Sequence, residues 1–151
     1  MSRLRHGEDG QVTLLVLVYT LISLSFVAVA VDATAVHLAR TQLLDAADAA
    51  ALDAADAVDE ASVYAGGVGS DLPLTDASVR AQAVGYLSAY DAPARLSRVE
   101  LGEGTGSPDG ASATVQLRGL VRLPIAASVL AAWRGGITVT VSSTARTSLA
   151  P

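Results

Sequence analysis

Residues 11–31 read Gln11-Val-Thr-Leu-Leu-Val-Leu-Val-Tyr-Thr-Leu-Ile-Ser-Leu-Ser-Phe-Val-Ala-Val-Ala-Val31, with no charge, no Pro and no Gly. As a helix rising about 1.5 Å per residue, the run reaches roughly 30 Å, the thickness of a bilayer's hydrocarbon core. An uncharged run of that length predicts a transmembrane helix ahead of a buried core helix. Arg3 and Arg5 precede it and Asp32 follows it. Basic residues near the end of a span tend to stay in the cytoplasm. The expected layout is a cytoplasmic tail at 1–10, a single span at 11–31 and an extracytoplasmic domain at 32–151, held at the cell membrane. A cleaved signal peptide competes, because Ala28-Val29-Ala30 resembles a small-residue cleavage motif. The apolar core is longer than the usual 7–15 or so residues of a signal peptide. Both readings export the same domain.

Composition narrows the classes of function. The 151 residues leave one domain's worth of chain beyond the span. Cys is absent, so neither disulfides nor thiol chemistry enter. All ten basic residues are Arg, against 15 acidic ones, for a net charge of −5. Nucleic-acid binding would need a basic footprint and is not expected. With one Phe and one Trp, the core must be built from Val, Leu and close-packed Ala.

The helical signal continues past the span. Residues 32–65 contain neither Pro nor Gly and are dominated by Ala, the best helix former. Gly66-Gly67 then supplies a stop. The prediction is one helix from about Gln11 to Tyr64. At about 100° per residue, Asp45, Asp48, Asp53, Asp56, Asp59 and Glu60 fall within an arc of roughly 140°. Leu43, Ala47, Ala50, Ala54, Val58 and Ala61 lie opposite, giving a flat apolar face that another backbone or a sheet can approach closely. The carboxylates read as a solvated face and not as a calcium site, which would place its ligands on a turning loop with a Gly.

Residues 66–74 form a linker. Thr75 or Asp76 caps a second helix to about Tyr90. Its buried stripe is Val79, Ala83, Tyr86, Leu87 and Tyr90, and Gly85 weakens it. From Leu96 the period changes: Leu96, Arg98 and Glu100 alternate with Ser97, Val99 and Leu101 in a weak strand. Residues 102–110 are a Gly-rich loop. Ala113, Val115 and Leu117 alternate with Thr114, Gln116 and Arg118, a half-buried antiparallel strand. Residues 125–133 form a helical turn or two. The last strand, from Ile137 to Arg146, puts Ile137, Val139, Val141 and Ser143 inward. Two short strands, a crossover and a third strand packed on the Ala face make an α+β domain with a small three-stranded antiparallel sheet.

No catalytic constellation emerges, and no cofactor or metal is expected. There is no Cys or Lys; the two His are His6 in the tail and His37 on the long helix. Gly102, Gly104 and Gly106 alternate, but a phosphate-binding loop sits between a parallel strand and a helix, whereas this one joins two strands. Trp133 reads as core or edge packing before a partner-facing anchor.

Gly10-Gln11 before the span, Asp32 after it, then Arg40, Gln42 and the Ala46-Ala47-Asp48-Ala49-Ala50-Ala51-Leu52 run resemble the TadE/TadG-like proteins of tight-adherence (Flp) pilus assembly. The resemblance implies a membrane-anchored, pilin-like structural or assembly component whose partners are the bilayer and other pilus-assembly membrane proteins. It makes Gly10, Gln11, Asp32, Arg40, Gln42 and Asp48 the family-motif residues. A reading from another class is a membrane-tethered extracellular binding module. That would need a pocket with convergent polar and aromatic groups, and none is apparent. Within the helix, Thr13, Thr20, Ser23, Ala30, Thr34 and Thr41 fall in an arc of roughly 100°. Small and hydroxyl residues in such an arc let helices pack closely in lipid, which makes these six the expected helix interface.

Overall fold

The first helix, α1, runs unbroken from Glu8 to Gly66, 59 residues and about 90 Å of length. The computed structural model describes residues 8–66, 74–129 and 135–146, and in α1 the side chains of residues 10–57. The expected α1 side chains Val58, Asp59, Glu60 and Ala61, the stop at Gly67, and Trp133 lie outside them. Every side chain from Gly10 to Val27 is exposed. Burial begins at Ala35 and continues through Ala39, Leu43, Ala46, Ala47, Ala50, Ala51, Ala54 and Ala55. The same helix is thus a bare apolar rod in its first half and one wall of a core in its second.

The second helix, α2, spans Asp76–Ala89. Thr75 caps it, its side chain accepting from the Ser78 N–H while Ser78 reciprocates toward the Thr75 N–H. This reciprocal pairing satisfies two backbone donors that the first turn leaves open. Val79 and Ala83 are buried. Tyr86, Leu87 and Tyr90 pack at the margin of the core, with the two Tyr rings stacked at 6.2 Å between centroids. Burial, then the neighbouring Tyr86, Asp45 and Asp91, push the Tyr90 hydroxyl above its usual titration range.

Strands β1 (Leu96–Leu101), β2 (Ser112–Val121) and β3 (Ile137–Arg146) form an antiparallel sheet in the order β1-β2-β3. The expected α+β class and three-stranded sheet are therefore present. The expected crossover is not: consecutive strands are neighbours, and β2 pairs directly with β3 in the antiparallel sense. A one-turn helix, α3 (Ala126–Val129), lies in that connection.

On β2, Ala113, Val115, Leu117 and Val121 are buried and face α1. On β3, Ile137, Val139, Val141 and Ser143 are the register partners of Val121, Gly119, Leu117 and Val115, so the inward faces match those read from the period. β1 departs from simple alternation. Between Ser97 and Glu100 its register shifts against β2, and Arg98 sits at φ 51. This bulge adds one residue and changes which parity faces the core. Leu96 is buried before it, while Val99 and Leu101 pack against the core after it.

Gly119 leaves no room for a side chain between β1 and α1. A Cβ there would lie 2.8 Å from Leu96 Cδ1 and 3.3 Å from Leu43 Cδ2. Leu96 first, and then Leu43, among the largest fully buried side chains, occupy the space that a side chain at Gly119 would fill. Gly119→Val should destabilise the fold by about 1–3 kcal/mol through overpacking. Gly85 has open space around its Cβ position, so Gly85→Ala should stabilise α2 by about 0.5–1 kcal/mol. Thermal unfolding of the full chain in detergent micelles, followed by near-ultraviolet circular dichroism, checks both signs.

Candidate functional site

Asp32 follows the apolar stretch directly, on the side of α1 that the sheet covers. At about 100° per residue it lies within roughly 20° of Leu43 around the helix. Its carboxylate therefore points at the sheet end and not at solvent. The Ile125 N–H donates to Asp32 Oδ1 at 2.9 Å, and the Ala126 N–H donates to Oδ2 at 2.8 Å. These N–H groups open α3 and have no acceptor within its single turn. A carboxylate 93 residues earlier in the chain thus caps them, and the bonds are charge-assisted. Pro124 precedes the pair, and Ile125 O in turn accepts from Ser128 and Val129.

Below this tie lies an apolar groove of about 330 Å³ lined by Val29, Asp32, Ala33, Val36, Leu123, Ala126 and Ile137. The opposite end of the sheet is closed by polar contacts. The Ser107 N–H donates to Asp76 Oδ1 at 2.7 Å, and Arg80 donates to the Glu103 carbonyl at 2.8 Å. Gly106 backs onto Asp76 with no room for a Cβ. Asp109 accepts from the N–H groups of Ala111 and Ser112 and from the Ser112 hydroxyl. The Ala111 N–H and the Ser112 hydroxyl, with help from the Ser112 N–H and Arg146, hold the Asp109 carboxyl below its usual range. Residues 102–110 are a hairpin loop, as their position between two strands implies; several of their polar groups bond within the fold.

The motif residues divide by position. Gly10 and Gln11 are exposed at the start of α1, Asp32 is half-buried at the junction, Gln42 is half-buried, and Arg40 and Asp48 are exposed on α1. Asp32 is the one whose contacts span the fold. The residues it engages, Ile125 and Ala126, were missed from the sequence. The helical turn read at residues 125–133 marked their place, and nothing local tied them to Asp32.

Thr13, Thr20, Ser23, Ala30, Thr34 and Thr41 are all exposed along α1. Thr34 and Thr41 are exposed and lie roughly opposite Leu43 around the helix, on the side away from the sheet. Thr20, Thr34 and Thr41 donate their hydroxyl protons to the carbonyls of Val16, Ala30 and His37, at 2.8, 2.8 and 3.1 Å. These donors are spent inside the helix, so small size is the property the stripe chiefly offers a neighbour. Asp45, Asp48, Asp53 and Asp56 are exposed, and among the described residues no cluster of His, Asp and Glu is placed to hold a metal ion.

Asp32→Ala would leave the Ile125 and Ala126 N–H groups without their acceptor. The expected loss is about 1.5–3 kcal/mol, the range for bonds to a charged group. Hydrogen exchange of the full chain should show faster exchange at residues 125 and 126, with the α2 amides unchanged.

No curated protein and no solved structure matches the chain. The model of the Flp pilus-assembly TadE/G-like family, Tad, matches residues 10–57, a segment that holds the apolar stretch, Asp32 and the alanine face.

Proposed function

We propose that the chain is a membrane-anchored, pilin-like structural or assembly component of a tight-adherence (Flp) pilus or a related secretion machine. Residues 1–10 are cytoplasmic, 11–31 span the membrane once, and 32–151 stand outside; the role is scaffolding, not catalysis. One observation carries the reading. α1 is a single helix, and the α+β domain covers one side of its outer half. The other side stays uncovered from the apolar stretch through Thr34 and Thr41 to Asp48. The family match spans this same helix, at residues 10–57, and α1 has a stretch long and apolar enough to cross a membrane.

A helix dressed on one side only suits lateral packing against the helices of neighbouring subunits. In lipid, where apolar burial offers little, close approach at small residues supplies the attraction. Thr13, Thr20, Ser23, Ala30, Thr34 and Thr41 provide such a strip. Because three of the Thr hydroxyls already donate within the helix, the strip acts through fit.

Thr20→Leu with Ser23→Leu should insert normally, since Leu favours the bilayer, yet weaken cross-linking to neighbouring membrane subunits and reduce surface pili. Val18→Leu with Ser25→Leu is the matched control. It also adds bulk and removes a hydroxyl that bonds back to Leu21, but roughly opposite the strip. Equal assembly by both double variants would rule out the strip as an interface.

A further inference from the structure

Among the described residues, the end of the sheet beside Asp32 brings apolar and basic groups together. Its groove under α3 is lined by the apolar Val29, Ala33, Val36, Leu123, Ala126 and Ile137 together with Asp32, whose carboxylate is bonded to the Ile125 and Ala126 N–H groups; Val129, at the end of α3, is 74% exposed. Two arginines supply the basic groups. Arg95 and Arg122, both exposed, are held side by side by the Arg122 N–H donating to the Arg95 carbonyl at 3.1 Å. They sit at the sheet end defined by the Leu96, Val121 and Ile137 partners. The exposed Asp91 lies four residues before Arg95, so the two arginines are the basic part of an end of mixed charge.

Val29 belongs to the apolar stretch and lies three residues before Asp32, about 4.5 Å along the helix. The groove therefore continues without a break into the helix surface proposed to face lipid. An apolar slot opening at a polar boundary, with two guanidinium groups at the same end, matches one occupant. An acyl chain fits the slot, and a phosphate suits the arginines.

We infer that this end of the outer domain rests on the bilayer and binds an anionic phospholipid. Val129 and the groove take acyl chain, and Arg95 and Arg122 take the phosphate. The inference depends on the membrane reading above. It accounts for an apolar side chain on a four-residue helix facing outward, and it turns Asp32 into the post that holds α3 at the membrane surface.

The chain has no Cys, so a single introduced thiol carries a nitroxide label without background. Val129→Cys, Val18→Cys and Ala77→Cys are reconstituted as full chains in vesicles of phosphatidylcholine with phosphatidylglycerol. Accessibility to oxygen and to a water-soluble nickel chelate gives the depth of each label. The Val18 label should be deep and the Ala77 label aqueous. The Val129 label should sit about 5–10 Å into the headgroup and acyl boundary. Retention of spin-labelled phosphatidylglycerol over phosphatidylcholine should fall about fivefold for each arginine in Arg95→Gln and Arg122→Gln.

A Val129 label as aqueous as that at Ala77, with Val18 still in lipid, overturns the inference and leaves the membrane reading standing. A Val129 label shielded from both reagents means that protein fills the groove and also overturns it. Equal retention of the two lipids by the parent chain removes the anionic assignment. A Val18 label in water defeats both the inference and the membrane reading.

Discussion

The close approach of a sheet to an alanine face governs the rest of the fold. Seven alanines between Ala39 and Ala55 are buried on α1, and β2 and β3 both lie across them. Large side chains there would hold the layers further apart. The face supplies little apolar area per residue, so the core must gain its stability from dense contact, where many weak dispersion terms add up. Gly119 accepting Leu43 is the local expression of that demand.

The same geometry aligns the outer domain with the rod that carries it. Asp32 and Leu43 share one side of α1, so the helix azimuth that seats the core also directs the Asp32 carboxylate to the start of α3. No hinge separates the apolar and amphipathic halves, because residues 32–65 contain no Gly or Pro. The domain and the apolar stretch therefore act as one lever about 90 Å long. For a subunit proposed to span a membrane and pack sideways, contacts along the apolar stretch would fix the orientation of the α+β domain.

Much of this was legible in the sequence, for identifiable reasons. α1 shows in an unbroken Ala-rich run, α2 in its Thr75 cap and 3.6-residue stripe, and β2 and β3 in period-two alternation. β1 was legible as a strand but not in its facing, because the bulge at Arg98 changes parity midway. The meander was misread as a crossover, since residues 122–136 are long enough for either and strand order leaves no local mark. The family motif flagged Asp32, but its bond to Ile125 and Ala126 joins residues that only the finished fold brings together. The bonds of the Thr20, Thr34 and Thr41 hydroxyls to the carbonyls four residues earlier are set by helix geometry, which residue spacing alone does not show.

The central claim is that one helix both crosses the membrane and holds the outer domain. Fusing alkaline phosphatase after Pro151 and fractionating the cells tests it most directly, because that enzyme is active only outside the cytoplasm. The account predicts an active fusion of full mass in the membrane fraction, resistant to alkaline extraction. An active but soluble product beginning near Val31 would contradict it and make residues 11–31 a cleaved signal. An inactive fusion of full mass would contradict the proposed orientation.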